Sequence, residues 1–410
     1  MWLSKRFKYS VLLISYDRKN KKILDNNENC GLLLTDLSKA FDCVKHDLLI
    51  AKLHAYNFHY DALLLINSYL SDRKQRTKIN SSFSTWHDIF VGVPQGSNLG
   101  PLLFNIYVND IFYIITNVDI ANFADDNSPY TSDNNMADVI KTLEQDSNKL
   151  YMWYRFNYLK PNADKYHLLL SSHDMNLALS INNEIIKNSN EEKLLGVTFD
   201  NDFSCKSHVR SICQKASKKL HALSRVCRFM TQHKRRILMK AFIESQFGYC
   251  PLIWVFHGNR ALNNVMNKIQ ERALRLVYSD ERSNYEELLE KDGSFTIHHR
   301  NLQKLAIEIY KFKHNLGPSI MNDIFKLKTV NYNLRNDIIL ETKNVHSTYN
   351  GTETVSFRAQ KTWDMVPDEM KLSQTLDKFK RKIKKWKPNN CTCRLCKTYV
   401  NGLGFVDICE

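Results

Sequence analysis

The sequence predicts an α+β fold in which a mixed first part is followed by a mostly α-helical second part. Up to about residue 200, apolar runs of strand length alternate with stretches whose apolar residues recur at helical spacing. Strands interleaved with helices and then followed by helices alone are typical of α+β proteins. We therefore expect one domain at residues 1–200, a helical region at 201–330 and a C-terminal region at 331–410.

The elements of the first part follow from periodicity and turn residues. A compact apolar run at residues 31–37, GLLLTDL, predicts a buried strand. The sequence DIANFADDNSPYTS at residues 119–132 predicts two short strands joined by an aspartate turn, which is a hairpin. The remaining predictions are a helix over residues 38–56, a strand between Trp86 and Val91, a turn with a long apolar helix over 92–115, and a helix from Met136 to Phe156.

Beyond this point the chain is predicted to be mostly helical. The run LLGVTFD at residues 194–200 predicts one further strand, and helices follow to about Lys328. After a less regular, Asn-rich region, a basic amphipathic helix is predicted near the C-terminus. Its apolar stripe consists of Leu372, Leu376, Phe379, Ile383 and Trp386.

Composition restricts the function. The 410 residues are 43% hydrophobic and 25% charged, which fits a globular protein, and no apolar run reaches the length of a membrane span. Ten cysteines, several of them single in apolar runs, suggest reduced thiols in an intracellular protein of the nucleus or cytoplasm, and not a secreted scaffold. The net charge of +15 suggests a polyanionic partner, either nucleic acid or an acidic membrane.

The positive charge is concentrated in one segment. Residues 203–243 contain eleven Lys and Arg residues and no Asp or Glu, with apolar residues at helical spacing. One face of such a helix packs while the other presents positive charge to a phosphate backbone, although a merely solvated basic face is the alternative. The C-terminal helix, which carries KFKRKIKKWK, suits a membrane surface or nucleic acid, and nucleic acid fits the rest of the chain better.

Three carboxylates are predicted to meet at one edge of the sheet. Asp36 ends the first buried strand, and Asp125 and Asp126 occupy the turn of the hairpin. Adjacent aspartates are often solvated turn residues, but clustered carboxylates resist joint ionisation unless a cation lies among them. Hard oxygen ligands suit Mg²⁺, and two such ions about 4 Å apart can hold the attacking and leaving oxygens of a phosphoryl transfer.

An ordered set of motifs carries a family resemblance. The stretches are LTDLSKAFDCVKHDLL (34–49), SYLSDRKQRTKIN (68–80), GVPQGSNLGPLLFNIYVNDI (92–111), FADD (123–126), LKPNADKYHLL (159–169) and LLGVTFD (194–200). FADD alone is a weak signal, but the ordered set is specific. It resembles the reverse transcriptases of non-long-terminal-repeat (LINE) retrotransposons of the jockey and chicken-repeat-1 type. The resemblance covers nearly the whole chain and implies a palm domain, with an antiparallel sheet and packed helices, followed by a helical thumb.

The resemblance implies an RNA-directed DNA polymerase. Asp36, Asp125 and Asp126 would be catalytic and would bind two Mg²⁺ ions, with Mn²⁺ as an alternative, and the backbone carbonyl of Leu37 would be a further ligand. The implied partners are an RNA template, a DNA primer and dNTPs, with no membrane and no small-molecule cofactor.

Four residues would bind the incoming nucleotide according to the same resemblance. Phe41 matches the aromatic residue that blocks a ribose 2′-hydroxyl, and Gln95 and Gly96 of VPQG would approach the nucleotide and the template. Lys165 matches a basic residue that assists pyrophosphate departure. Each has a structural alternative: a core aromatic for Phe41, a turn before a helix for VPQG, and a solvated charge for Lys165.

The nucleic-acid-binding residues implied by the family lie further along the chain. Leu195 and Gly196 resemble the element that grips the primer end, where glycine permits close backbone approach. The basic segment resembles a thumb helix that follows a duplex backbone. Its candidate contacts are Lys206, Arg210, Lys218, Lys219 and Arg225.

The chain departs from the family pattern in three places. Asn127 stands where these enzymes usually carry Thr, and Asn98 where an aliphatic residue is common. Only 35 residues precede Asp36, and the family's long finger region cannot be matched in them. We therefore expect a chain truncated at its N-terminus. A catalytically inactive remnant that only binds nucleic acid is the alternative, and a metal-dependent nuclease is a third.

The C-terminal tail contains clustered cysteines. Cys391, Cys393 and Cys396 occur in CTCRLC, and Cys409 lies near the end. Four thiolates could form a tetrahedral Zn²⁺ site. The spacing is not that of a standard zinc knuckle, and the family resemblance says nothing about a metal here.

Overall fold

Helices and paired strands occur together in the structure, which confirms the α+β class. The computed structural model describes residues 23–255, 260–319, 321–327, 340 and 354–388. The chain divides into two compact units, one of residues 28–192 and the other of residues 193–410 together with 1–27.

A four-stranded antiparallel sheet forms the centre of the first unit. Its strand order is β6-β7-β1-β8, so β1 is a central strand. The fully buried Leu32 of β1 lies opposite Tyr130 on one side and Leu169 on the other. A Cβ at Gly31 would lie only 2.7 Å from the Leu143 side chain, so glycine lets a helix approach the strand closely. The strands are β1 (Asn29–Leu34), β6 (Asp119–Phe123), β7 (Asp126–Asp133) and β8 (His167–Leu170).

Five α-helices occur in the described part of this unit. The hydrophobic core contains Leu49, Phe104, Tyr107 and Trp153, which come from three different helices and are all buried. The long helix that follows the hairpin has the predicted bounds. The helices are α1 (His46–Ala55), α2 (Tyr60–Leu70), α3 (Gly100–Val108), α4 (Ile111–Ile114) and α5 (Met136–Phe156).

Residues 38–56 do not form the single helix predicted from their spacing. Residues 40–42 form one 3₁₀ turn, and α1 begins only at His46. The Phe41 carbonyl accepts a hydrogen bond from the Val93 N–H (2.9 Å), and the Val44 carbonyl accepts one from the Gly92 N–H (2.7 Å). Because these carbonyls bind a loop distant in sequence, they cannot continue a helical hydrogen-bond ladder.

The long helix predicted over residues 92–115 is interrupted. α3 ends at Val108, and α4 starts at Ile111. Near this break the Lys52 Nζ lies 2.7 Å from the Tyr107 carbonyl and 2.8 Å from the Asp110 carboxylate. The Lys52 ammonium thus binds the Tyr107 carbonyl, which would otherwise accept the next hydrogen bond of the helix. Burial lowers the pKa of Lys52, and Asp110 opposes that effect.

The remaining strands of this unit form short antiparallel pairs. The strand predicted between Trp86 and Val91 is observed as β5, which pairs with β2, while β3 pairs with β4 and β9 with β10. Their bounds are β2 (Arg73–Gln75), β3 (Lys78–Ile79), β4 (Ser82–Phe83), β5 (His87–Ile89), β9 (Ala178–Ile181) and β10 (Glu184–Lys187).

The second unit is mostly helical, as predicted. Its longest helix, α6, buries an apolar stripe that includes Ile212, Ala216 and Leu223. The helices are α6 (Lys206–Cys227), α7 (Gln232–Leu238), α8 (Pro251–Trp254), α9 (Arg260–Tyr278), α10 (Tyr285–Asp292), α11 (Ile297–Lys313), α12 (Met321–Ile324), α13 (Val355–Met365), α14 (Asp368–Lys371) and α15 (Leu376–Ile383).

Two predictions about the second half need correction. Residues 194–200 do not form one strand, because β11 (Glu191–Leu194) and β12 (Val197–Asp200) pair as a hairpin that turns at Leu195 and Gly196. Both turn residues have positive φ, 46° and 84°, which a continuous strand excludes. The C-terminal amphipathic helix is shorter than its apolar stripe, because it begins at Leu376, after the Thr375 side chain accepts a bond from the Lys378 N–H.

Some predictions fall outside the described residues. These are the N-terminal segment, most of the Asn-rich region, and the tail with Cys391, Cys393, Cys396 and Cys409. In the part of the chain that the structure describes, no helix has the length and apolar character needed to cross a membrane.

Asp146 of α5 fixes the loop that leads into β6. Its fully buried carboxylate accepts hydrogen bonds from the backbone N–H groups of Asn117 (2.8 Å) and Val118 (3.2 Å) and pairs with the Lys149 ammonium at 2.7 Å. Burial alone would raise the pKa of Asp146, but the bonds from Lys149 and Asn117 outweigh it, so the pKa lies below its usual value.

We expect Asp146→Asn to lower the free energy of unfolding by roughly 1–3 kcal/mol at pH 7, because charge-assisted hydrogen bonds to a buried group are lost. Since the folded-state pKa is lowered, this contribution is fully present above the unfolded pKa and is lost as the pH falls through the folded one. Urea unfolding at several pH values measures it. Asp138→Asn, at an exposed position of the same helix, is the control, and an equal loss in both variants would contradict the assignment.

Candidate active site

The two adjacent aspartates lie at the tip of the β6–β7 hairpin, as predicted. Phe123 ends β6 and pairs with Asp126, the first residue of β7, so Ala124 and Asp125 form a two-residue turn. Ala124 has a φ of 56°, in the left-handed region. Such tight turns require positive φ, and the sequence meets this requirement with a small residue.

Asp36 lies across the sheet from this turn. The β1–β7 register pairs Leu32 with Tyr130, and its continuation puts Asp36 opposite Asp126. The continuation is held by Thr35, whose N–H and hydroxyl both donate to the Asn127 carbonyl, at 3.2 and 2.8 Å. Two of the three predicted carboxylates are therefore cross-strand neighbours, with Asp125 adjacent to one of them in sequence.

The charges of the three carboxylates act on one another. Burial raises the pKa of Asp126, and the negative charges of Asp125 and Asp36 raise it further. The Lys165 ammonium lies 3.5 Å from the Asp36 carboxylate and supplies the opposite charge on that side. Among the described residues, no group of three or more His, Cys, Asp or Glu side chains is arranged closely enough to count as a preformed metal site. The carboxylates are thus electrostatically coupled without forming a closed ligand cage.

Near Asp36, the backbone hydrogen-bonding groups of successive residues are directed alternately to β7 and to residues 160–162. Residue Leu37 forms a bridge with Pro161, in which the Asp36 carbonyl accepts from the Asn162 N–H and the Ser38 N–H donates to the Lys160 carbonyl. Successive residues of an extended chain direct their backbone groups to opposite sides. The Leu37 carbonyl is therefore directed to the side on which β7 lies.

The predicted nucleotide-binding residues surround a contact between two loops. Phe41 stacks on Phe104 with ring centroids 4.4 Å apart and is only partly buried, so it is both a packing residue and accessible. Gln95 is exposed, and its Nε2 donates to the Asp42 carboxylate at 2.8 Å. Gly96 has a φ of 80° and open space around the position of a Cβ.

Asp42 and Gly92 are site residues that sequence reasoning missed. The Asp42 carboxylate accepts a hydrogen bond from the Gln95 amide nitrogen and so fixes the orientation of that amide. A Cβ at Gly92 would lie 2.9 Å from the Asp42 Cα, and the φ of Gly92 is 92°, so glycine is required for the two loops to touch. In the sequence, only the AFD triplet at residues 40–42 pointed to Asp42. In the structure this aspartate is exposed.

A buried polar network supports the aspartate turn. Asn127 is fully buried, and its side-chain oxygen accepts from the Asn122 amide. The Thr35 hydroxyl lies 3.4 Å from the Tyr154 hydroxyl of α5, and burial raises the pKa of that tyrosine. The Asn at position 127, which departs from the family pattern, therefore has a structural role below the carboxylates.

The basic face predicted for the second unit is present on α6. Arg210, Lys218, Lys219 and Arg225 are exposed, and Lys206 is half-buried at the start of the helix. Their apolar neighbours on the helix are buried. This arrangement matches the predicted separation of a packing face from a charged face.

Two arginines of the basic segment are structural instead. Arg235 donates to the carbonyls of Cys227 and Met230 at 2.9 and 3.0 Å. Arg236 pairs with the buried Asp292 at 2.5 Å. The segment itself has no acidic residue, but an acid distant in sequence compensates one of its charges.

The turn predicted to grip a primer is braced by a tyrosine. The Tyr249 hydroxyl donates to the Leu195 carbonyl at 2.5 Å, and a Cβ at Gly196 would lie 3.3 Å from the Tyr249 ring. Gly196 is exposed. The backbone of this turn is therefore both accessible and fixed from one side.

A family profile described as "Reverse transcriptase (RNA-dependent DNA polymerase)" matches residues 4–199. The match includes Asp36 and the aspartate turn opposite it. Residues 4–199 are a reverse transcriptase domain. The family resemblance of the motifs is thereby confirmed.

The reverse transcriptase domain has relatives among the polymerases of mobile elements. The chain is 26% identical over 277 residues to a probable RNA-directed DNA polymerase from transposon BS of Drosophila melanogaster, covering 63% of this chain and 30% of that protein. It is 26% identical over 210 residues to the RNA-directed DNA polymerase from mobile element jockey of the same organism, covering 49% and 23%. The chain thus spans less than a third of these relatives.

Among solved structures, a telomerase from Candida tropicalis, in complex with a fragment of telomeric RNA, is similar over 90% of this chain and 51% of its own. The identity is 11% and the TM-score is 0.40, and nothing further rests on this likeness.

We expect Asp126→Asn to raise the melting temperature of the protein at pH 7 in the presence of a chelator, because it removes a partly buried negative charge and the repulsion of that charge by Asp125 and Asp36. Since the folded-state pKa of Asp126 is raised, the gain is absent below the unfolded pKa and develops as the pH rises through the folded one. Solvent screening keeps the gain small, because a large part of the residue remains in contact with solvent.

Differential scanning fluorimetry over a range of pH measures this gain. The control is Asp133→Asn, at an exposed position at the other end of β7. A pH-independent change, or an equal gain in the control, would contradict the raised pKa of Asp126.

Proposed function

We propose that this chain is part of an RNA-directed DNA polymerase, which transfers a nucleotide from a dNTP to the 3′-hydroxyl of a primer on an RNA template. The observation that carries the proposal is the cross-strand placement of Asp36 and Asp126, beside Asp125, within a reverse transcriptase domain. The names of the mobile-element relatives support the same activity.

Asp36, Asp125 and Asp126 would hold two Mg²⁺ ions, with Mn²⁺ as an alternative, and the Leu37 carbonyl would be a further ligand. The fit rests on the donor set, which is made of hard oxygens, and on the raised pKa of Asp126, which reflects first the burial of its charge and then the negative charges of Asp125 and Asp36. When bound, such ions stabilise the attacking and leaving oxygens of phosphoryl transfer.

The nucleotide would lie against the loop contact described above. The partly buried Phe41 would exclude a ribose 2′-hydroxyl, and the Gln95 amide, held by Asp42, would approach the nucleotide. Gly96 leaves room for close approach, and Lys165 lies beside Asp36, where it can meet a negatively charged phosphate. Positioning of this kind supplies much of the rate of phosphoryl transfer.

The exposed basic face of α6 would bind the phosphate backbone of the primer–template duplex. Its candidate residues are spread along the length of one helix, so they can contact several successive phosphates. The braced turn at Leu195 and Gly196 would contact the primer end. Backbone contacts of this type give affinity without sequence information.

Primer extension tests the proposal. With poly(rA), oligo(dT), dTTP and Mg²⁺, we expect the 410-residue chain to bind the duplex and to extend the primer only weakly, and Asp125→Ala to abolish that extension while duplex binding is retained. Asp133→Ala is the matched control and should extend normally. Retained binding without any extension would contradict the polymerase and support a chain that only binds nucleic acid. Shortening of the primer without dTTP would support a nuclease.

The salt dependence of duplex binding tests the basic face separately. We expect affinity to fall steeply with salt, and Lys218→Ala with Lys219→Ala and Arg225→Ala to flatten the slope of log K against log salt by roughly 2 to 3, because three phosphate contacts are lost. Asp125→Ala should leave the slope unchanged. Fluorescence anisotropy with a labelled duplex measures both. An unaltered slope in the triple variant would exclude α6 from the interface.

A further inference from the structure

A solvent-exposed β arm extends from the first unit between α2 and α3. The arm consists of residues 73–90, in which β2 pairs with β5 and, further out, β3 pairs with β4. Every residue from Lys74 to Asp88 is exposed. Asn80 at its tip has a φ of 54°, as a tight hairpin turn requires.

A two-stranded hairpin without a buried face is only marginally stable in water. In this arm, local contacts replace the missing core. The Arg76 guanidinium lies over the Phe83 ring at 4.0 Å and over the Trp86 ring at 4.5 Å, and the Lys78 ammonium lies 5.2 Å from the Phe83 ring. The aromatic rings are therefore held in place by cations and not by burial.

The rings remain largely accessible in spite of these contacts. Trp86 is 57% exposed and Phe83 is 50% exposed, and Phe90 at the base of the arm is 80% exposed. Apolar rings are left in water only at a cost, so an exposed group of three on one short arm indicates a contact surface.

The charge of the arm indicates what it contacts. The arm carries four Lys and Arg residues, and Asp88 is the only acidic residue between positions 73 and 90. That aspartate pairs with Lys74 at 3.3 Å. Three positive charges therefore remain uncompensated within the arm: Arg73, Arg76 and Lys78.

We propose that the arm is a stacking platform for single-stranded nucleic acid. Aromatic faces bind unpaired bases, and arginines and lysines beside them bind the phosphates, which is the combination that proteins use for single strands. A duplex keeps its bases stacked inside, so it cannot use the ring faces of Phe83 and Trp86. An apolar protein partner would leave the three cations unmatched.

The proposal deepens the proposed function and rests on it for the identity of the strand. In a reverse transcriptase, the strand that is unpaired before copying is the RNA template. The arm would therefore hold template RNA in single-stranded form. Its affinity for an unpaired strand does not depend on catalysis and can be measured without it.

Binding of fluorescein-labelled oligo(rU) and oligo(dT) to the full chain tests the platform. We expect Trp86→Ala to weaken binding of both strands by roughly five- to 150-fold, as the loss of one stacked base does. Trp86→Phe should retain most of the affinity, because it keeps an aromatic face. Arg76→Ala should weaken binding as well, since it removes a phosphate contact and releases both rings.

Tyr113→Ala is the matched control, because Tyr113 is 75% exposed on the same unit but lies outside the arm. It should bind single strands like the unaltered chain, and circular dichroism should show that all variants are folded. Unchanged oligo(rU) affinity in both Trp86→Ala and Arg76→Ala would overturn the proposal. An equal loss of duplex binding would overturn it too, because the arm would then contact only the backbone.

A change of oligomeric state in Trp86→Ala, with oligo(rU) affinity unaltered, would assign the arm to a protein interface instead. The primer-extension assay separates this proposal from the proposed function. If the chain never extends a primer but Trp86→Ala lowers its affinity for single strands, the stacking platform is supported and the polymerase activity is not. If the Trp86→Ala variant extends a primer normally and binds oligo(rU) as tightly as the unaltered chain, the polymerase activity is supported and the stacking platform is excluded.

Discussion

The convergence of like charges at the end of two paired strands is the constraint on which the site depends. Asp36 and Asp126 are opposite one another only because β1 is paired with β7 in one register, and a slip of one residue would turn Asp36 to the other face of the sheet. Thr35 holds that register through two hydrogen bonds to Asn127. The repulsion among the carboxylates is therefore opposed by the packing of the whole sheet, which cannot relax locally.

A second constraint links the residues after Asp36 to the loop before α3. The backbone between Phe41 and Val44 binds Gly92 and Val93 and so gives up helical hydrogen bonds of its own. In return, two segments about fifty residues apart in sequence are fixed at one place, and Gln95 lies within reach of Asp42. Local propensity for helix is overridden here by tertiary hydrogen bonds, which is common at functional sites.

The sequence alone was sufficient to predict an element where one periodicity or one turn signal determined the local structure and no distant contact opposed it. The aspartate hairpin and the helix Met136–Phe156 are of this kind. Prediction failed where residues distant in sequence determine the local structure. Lys52 binds a carbonyl at the end of α3 and so ends the helix. Tyr249 binds the Leu195 carbonyl and stabilises a turn inside the segment predicted to be one strand. The roles of Arg235 and Arg236 were likewise hidden, because their partners lie outside the basic segment. For the candidate site, the motifs identified the three carboxylates from sequence alone. The contact made by Asp42 and the support given by Asn127 could be recognised only in the three-dimensional structure.

The contact between Lys165 and Asp36 has a consequence for how the protein matures. The ammonium is a counter-ion built into the chain, and its side chain is 63% exposed, so the pair is weak and easily separated. Small zinc domains, by contrast, remain unfolded until their ion arrives. In the first unit, the chain itself supplies a cation beside Asp36. If the carboxylates bind divalent ions as proposed, those ions therefore need not be present when the sheet folds.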